Sequence, residues 1–541
     1  METIAGAFHV HSSRSDGRSS PDEIAAIAAR AGLQFVVFTD HGDATRAPDR
    51  PTYRSGVLCI DAVEISTTEG HLIALGIPSA PYRLAGDARD VVEDIHRLGG
   101  IAIAAHPDSP KTDLQWRDWS VPLDGLELIN LDTMWRKQLA RRDWRSRLRV
   151  AAAVMTYLFR GPETIASLGT DGPELASDWA RLAAMRPTAI FAGTDAHARL
   201  ELRDTQPGDN RGTLPLPGYE NTFKALTMRV PVTKPLSGDA AADGSTILDA
   251  LQRGAAYATV DGILAPGALE FSGATTTSTR LRMGETATTD GPVNLTVRTN
   301  APASFTTIVW RNDEVLSSTA TAPELTVTAP AGDAAYRVEI RASDRPGAPL
   351  WLISNPLYVR TAPPAAAGEA SPAATRQPGG LVLFDTERSG EWRTEASPAS
   401  KAALDVTRTV DGRALLLRYG LPRGEAFGEY AAAVVSTTGG LAPYDALRVT
   451  ARAERPMRIS VQLRTQVPGV GADRWQRSIY VDSTDTSHVL PFAAFRPVGV
   501  PQSPQLNLAN VGNILFMIDR GNTKPGSSGR LWLTAVALRA N

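Results

Sequence analysis

The 541-residue chain carries 56 Lys and Arg against 58 Asp and Glu, a formal net charge of −2, so it has no bulk electrostatic grip on nucleic acid, and stable nucleic-acid binding is not expected. A hydrophobic content of 43% and a charged content of 21% are ordinary for a globular protein, and the length exceeds what a single core supports. No apolar run reaches the roughly 18 residues that a bilayer span requires, and the lone cysteine, Cys59, excludes a disulfide framework and a thiolate metal cluster.

The amino-terminal part alternates apolar β-branched runs with helical stretches. Strands are predicted over Ile4–Val10, Phe35–Thr39, Val57–Ile65, Ile101–Ala105, Leu126–Asn130 and Thr188–Ala192, with a further one over Ala255–Val260. Cys59 falls inside the third of these and reads as a buried strand residue. A helix is predicted over Pro21–Ala31, with Ser20 as N-cap, Glu23 closing a capping box and Gly32 past its end. Another spans Ala88–Leu98 and stops at Gly99-Gly100. Strands alternating with helices imply parallel pairing, and about seven such units imply a barrel.

Residues 132–180 read as helical, with a basic stretch that includes Arg136, Lys137, Arg141, Arg147 and Arg149 and leads into the apolar run Ala151–Phe159. A solvated helix face followed by a packed helix is the plainer expectation, and a membrane-surface or anion-binding patch is the other. After residue 264 helical periodicity ends. Short alternating runs over 265–360 predict an immunoglobulin-like β-sandwich. Residues 361–380, of which seven are Ala, four Pro and three Gly, predict a semi-extended linker. The stretch 381–541 predicts a second β-sandwich of jelly-roll type.

Seven of the eight histidines lie in the first 200 residues, and six of them follow or end a predicted strand beside a carboxylate or another histidine. They are His9 and His11, then His41 after Asp40, His71 beyond Glu64, His106, and His197 after Asp195, with Asp16 close behind His11. In a parallel barrel the carboxyl ends of the strands meet on one face, so ligands distant in sequence reach one cavity. Imidazole and carboxylate suit divalent Zn, Mn or Fe. His96, within the second predicted helix, and His488 fall outside this pattern.

The string His9-x-His11-x4-Asp16-Gly17, Thr39-Asp40-His41, Glu64, His71, Ala105-His106-Pro107 and Gly193-Thr194-Asp195-Ala196-His197 resembles the polymerase-and-histidinol-phosphatase (PHP) family over about residues 1–260. The resemblance implies a distorted (β/α)7 barrel over residues 1–264 holding about two to three divalent ions. It implies that His9, His11, Glu64 and Asp195 hold the first ion, Asp16, His41 and His197 the second, and Glu64, His71 and His106 the third. Asp16 departs from relatives that carry histidine there, which bears on metal preference.

The expected chemistry is hydrolysis of a phosphorylated small molecule or nucleotide by a water that bridges the ions, loses its proton and attacks phosphorus in line. Glu64 and Asp195 are the expected catalytic carboxylates, and Asp40 is expected to orient a ligand histidine. Arg14, Lys111 and Arg199 are candidate clamps for phosphoryl oxygens. Hydrolysis of a non-phosphate ester or amide, and a non-catalytic glycan-binding protein, remain alternatives. Trp392, Tyr430, Tyr444, Trp475 and Tyr480 in the last module could stack on sugar rings, although core packing is the expected role of most of them. Two sandwiches and a spacer suit work outside the cytoplasm, with a leader absent from this sequence; a cytoplasmic enzyme is the alternative.

Overall fold

The computed structural model describes residues 2–540 apart from 142, 170–172, 202–211, 277–278, 362–379, 388–390, 411, 425–427, 468–470 and 522. The protein is multidomain and mostly built of β-sheets, with eight α-helices among the described residues. It divides into two compact units, one of residues 1–79 and 87–365, the other of residues 366–541 together with 80–86. None of the helices described is long and apolar enough to cross a membrane. The expected linker 361–380 lies almost wholly outside the described residues.

In the first unit the elements run β1 (Glu2–Val10), α1 (Pro21–Arg30), β2 (Phe35–Phe38), β3 (Thr52–Arg54), β4 (Val57–Asp61), β5 (Val63–Thr67), β6 (Gly70–Leu75), α2 (Ala88–Arg97), β7 (Ile101–Ala104) and β8 (Gly125–Asn130). There follow α3 (Leu131–Ala140), α4 (Trp144–Thr156), α5 (Gly161–Ser167), α6 (Pro173–Met185), β9 (Ala189–Gly193), β10 (Leu200–Glu201), β11 (Thr213–Leu214), α7 (Tyr219–Ala225), β12 (Thr227–Val232), α8 (Ala240–Gln252) and β13 (Tyr257–Thr259). The capping box expected of α1 is formed, with Ser20 and Glu23 exchanging bonds.

Pairing is mixed rather than parallel throughout. β1, β2 and β4 are parallel, as are β7, β8 and β9, but β5, β6 and β7 are antiparallel, and so are β1, β12 and β13. The run expected as one strand, Val57–Ile65, is two strands in two different sheets, β4 and β5, divided at Ala62. The reason is local: β5 folds straight back through Thr68-Glu69 into β6, with Gly70 at φ 131° in a conformation that suits glycine. Such a hairpin needs antiparallel pairing. Two isolated bridges, Val10 to Ala196 and His41 to Glu64, tie the two sheets together where β1, β2, β5 and β9 begin or end.

The sheet does not break at residue 264. β13 pairs with Leu350–Ser354, so strands beyond residue 264 continue the sheet that holds β1. Asn355 and Tyr358 then satisfy the backbone beside β9. Asn355 accepts from Ile190 N at 2.7 Å, and Tyr358 donates to Thr188 O at 2.9 Å. Buried backbone groups need such partners.

The second unit packs two six-stranded antiparallel sheets around one apolar core that includes Leu417, Leu447, Ile459, Val461, Phe516 and Leu533. Trp475 is buried in that core and Trp392 and Tyr444 pack against it, so these aromatics serve packing.

Candidate metal centre

All nine expected ligands come from strand ends or the loops just beyond, and the fold brings them together. β1 delivers His9 and then His11. β2 leads to His41, β7 to His106, and β9 to Asp195 and His197. Glu64 and His71 meet because of register: Glu64 faces Ile73 and Ser66 faces His71, so Glu64 and His71 are diagonal neighbours on one face of the hairpin.

Glu64 is the hub. Its Oε2 lies 3.2 Å from His9 Nε2, 3.1 Å from His11 Nε2 and 3.4 Å from His41 Nδ1. Its Oε1 lies 2.7 Å from His71 Nδ1 and 2.8 Å from His106 Nε2. One carboxylate therefore faces two groups of imidazoles, one group at each oxygen. Four overlapping sets have donor atoms close enough to share an ion: His11, Asp16, His41 and His197; His9, His11 and Glu64; His9, His106 and Asp195; and His41, Glu64 and His71.

Several features fit divalent ions. His9 Nε2 and His11 Nε2 approach within 3.0 Å, the disposition of two nitrogen lone pairs directed at one centre. His11 Nδ1 and His106 Nδ1 are buried without a hydrogen-bond partner, which is costly for ring nitrogens. His9, His106 and Asp195 all have positive φ, at 65°, 31° and 47°. Left-handed backbone at three non-glycine residues of one cluster is strain of the kind that gathers at functional sites.

The electrostatics point the same way. Burial opposes charge on His9, yet Glu127, Asp195 and Glu64 overcome it and hold the imidazolium well above its usual range. Burial likewise opposes charge on His11 and His106, but bonds to Asp195 and Glu64 raise the first to about 9, and Glu64 raises the second to about 9. Burial would raise Glu64 and Asp195, but the surrounding histidines hold both well below the usual carboxylate range. His41 is the exception: burial, with His11 and His197 beside it, lowers it to about 4. A field that draws protons onto buried imidazoles draws divalent cations too.

Burial is graded. His9, His11, Glu64 and His106 are sealed, whereas the side chains of Asp16, His41 and His197 are 26%, 34% and 23% exposed. The open side faces a cavity of about 460 Å³ that Lys111, Asp132, Arg136 and Arg199 also line.

Arg14 and Asp40 behave differently from expectation, and His96 as expected. Arg14 does not line this cavity; it pairs with Asp49 and with Asp61, 3.0 Å away, beside a different hollow. Asp40 orients no ligand histidine directly. It accepts from Ser12 N, Ser12 Oγ and Ser15 Oγ, each at 2.7 Å, and so fixes the loop between His11 and Asp16. His96 bonds Asp124 at 2.7 Å, away from the cluster, in keeping with its place on a helix surface.

The sequence reading missed Glu127, on β8. Its Oε1 accepts from His9 Nδ1 at 2.6 Å, and its Oε2 accepts from His106 N and Asn130 Nδ2, both at 2.8 Å. This is the support a metal-ligating histidine requires from behind. Gly193 leaves room for it, because a Cβ there would collide with Glu127 Oε1. Arg136, in the cavity wall, carries no sequence signal beyond its place in a basic stretch.

No protein-family model matches the chain. An uncharacterized protein of Methanocaldococcus jannaschii is 33% identical over 119 residues, which is 21% of this chain and 68% of that protein. The chain belongs to that protein's family. Among solved structures, the family 11 carbohydrate-binding module of a Clostridium thermocellum cellulosomal cellulase aligns at 21% identity and a TM-score of 0.25, over 30% of this chain and 95% of that one. A family 30 carbohydrate-binding module aligns at 9% identity and a TM-score of 0.24, over 30% of this chain and 100% of that one.

Proposed function

We propose that the first unit is a metal-dependent hydrolase of phosphate esters, of the PHP type that the sequence resembles. The distorted (β/α)7 barrel is part of the same reading. The observation that carries it is Glu64, a buried carboxylate with five imidazoles within 3.4 Å, divided between its two oxygens. His9, His11, Asp16, His41, Glu64, His71, His106, Asp195 and His197 are the residues that would hold the ions. Bound there, divalent ions supply Lewis-acid charge for phosphoryl oxygens and acidify water.

The chain's own groups supply the rest. Glu127 holds His9 in one tautomer, so that Nε2 presents a lone pair to the cluster. Asp40 holds the loop that carries Asp16 at the mouth. Lys111, Arg136 and Arg199 give the cavity wall positive charge opposite the ligand cluster, which suits a phosphoryl group and its ester oxygen. Arg136 stacks over Trp135 at 4.6 Å and pairs with Asp132, which fixes the reach of its guanidinium.

The test is hydrolysis by full-length protein loaded with Zn or Mn, against phosphomonoesters, phosphodiesters, nucleotides and carboxyl esters. Turnover of phosphate esters that Glu64→Gln abolishes is the expected result. Turnover of carboxyl esters alone would favour the other hydrolase reading. Absence of all turnover in metal-loaded protein would leave a binding role, which a glycan array with the same protein would examine.

A further inference from the structure

α4 presents its large apolar side chains to solvent. Ser146 and Ala153 are buried and Val150 and Tyr157 half-buried, at spacings of four, three and four residues that make one helical face. That inner face is firmly seated. Asp143 caps the helix by accepting from Ser146 N at 3.0 Å, Thr156 Oγ1 meets Thr164 Oγ1 at 2.9 Å, and Tyr157 OH accepts from Gly218 N at 2.8 Å. Away from it, Leu148 is 59% exposed, Val154 and Met155 70%, Leu158 82% and Phe159 86%. Trp144, Leu148 and Met155 repeat at helical spacing on α4, and the exposed Leu158 and Phe159 follow in the turn just past its end. The expected packed helix over Ala151–Phe159 is thus seated through Ala153 and Tyr157, and exposes Val154, Met155, Leu158 and Phe159.

The surroundings are basic. Residues 131–160 hold eight Lys and Arg against two Asp, a local charge of +6 in a chain of −2. Arg147 and Arg149 are exposed on either side of Leu148, and Arg141 is exposed at the end of α3. A stripe of Leu, Met and Phe rimmed by Arg is the composition of a helix that lies in a lipid interface. A second copy of the chain would bring like charge against this face, whereas anionic lipid brings the opposite charge.

We propose that the α3–α4 hairpin docks the protein on an anionic membrane surface, with Leu148, Met155, Leu158 and Phe159 entering the headgroup boundary. α3 also carries Asp132 and Arg136 in the cavity wall, so the docked hairpin holds the cavity beside the bilayer. The docking stands whether or not the metal centre hydrolyses phosphate esters.

Sedimentation of full-length protein with vesicles tests it, using phosphatidylcholine alone and phosphatidylcholine mixed with phosphatidylglycerol, at low and high salt. Binding to the anionic vesicles only, weakened by salt, is the expected result. Leu148→Ser, Met155→Ser, Leu158→Ser and Phe159→Ser together should weaken binding by about tenfold or more. Arg147→Gln with Arg149→Gln, an independent variant, should weaken it by roughly tenfold. Val410→Ser, at a fully exposed loop position in the other unit, should leave it unchanged. No binding to anionic vesicles, equal binding to neutral ones, or undiminished binding by both hairpin variants overturns the proposal. So does a self-association that the serine variant abolishes while vesicles bind neither protein, because the face then belongs to a second copy.

Discussion

His9 donates through Nδ1 to Glu127 Oε1 at 2.6 Å, and this bond decides which nitrogen of His9 faces the other candidate ligands. Glu127 is fully buried and also accepts from His106 N and Asn130 Nδ2, so it is held from three directions. Glu127→Ala should therefore weaken metal retention by about tenfold to a hundredfold. Gly193→Ala should act in the same direction, since its Cβ displaces the Glu127 carboxylate. Equilibrium dialysis against Zn or Mn with a competing chelator measures both. Unchanged retention in both would mean that Glu127 only fills space.

The nine candidate ligands were legible because each sits at a strand end or in the turn just beyond, where a polar residue interrupts an apolar run. Glu127 was not, because it lies within the run Gly125–Asn130 and reads as strand filler. The signal was present: a carboxylate inside a buried strand is expensive unless paired. Arg14 misled by nearness in sequence to Asp16, while its long side chain turns to Asp49 and Asp61. Alternation of strands and helices suggested parallel pairing, but the hairpin through Thr68-Glu69 sets β5 and β6 antiparallel. The outward side chains of α4 were hidden because apolar residues occupy both of its faces, and periodicity does not say which face the core takes.

Glu64→Gln should reduce activity and metal content far more than His71→Ala. Glu64 touches five histidines through two oxygens, whereas His71 Nδ1 meets only Glu64 Oε1 within the cluster, and its Nε2 lies 3.1 Å from Ser66 Oγ at the rim. Hydrolysis rates and elemental analysis of the two variants side by side give the answer. Equal and mild losses would contradict the central placement of Glu64.

Lys111→Ala and Arg14→Ala should separate by location. Lys111 lines the cavity and Arg14 does not. Loss of one cation facing a phosphoryl oxygen should raise KM by roughly tenfold, as expected for a charge-assisted bond. Arg14→Ala should leave KM unchanged and instead lower thermal stability, because Asp61 loses a partner. Steady-state kinetics and a thermal melt of both variants distinguish the two roles, and a raised KM in Arg14→Ala alone would reverse the assignment.

Cys59 should be inert in the folded protein. It is 7% exposed on β4, and burial pushes its thiol up to about 11 from an ordinary value of 9.0. Near pH 8 the reactive thiolate is then about a hundredfold rarer than in the unfolded chain. The neutral thiol is the form the fold favours, so its contribution is complete below pH 9 and falls away as pH rises through about 11. Alkylation by iodoacetamide with and without denaturant checks this, and comparable rates in both would contradict it.

The metal centre itself is tested most directly by counting metal. Full-length protein stripped with chelator, reloaded with Zn or Mn and freed of excess should retain about two to three equivalents by elemental analysis. Glu64→Gln with His11→Ala should retain fewer than one while keeping the wild-type circular dichroism. A wild-type chain that is folded yet retains no metal, or a variant that retains as much as the wild type, would contradict the account.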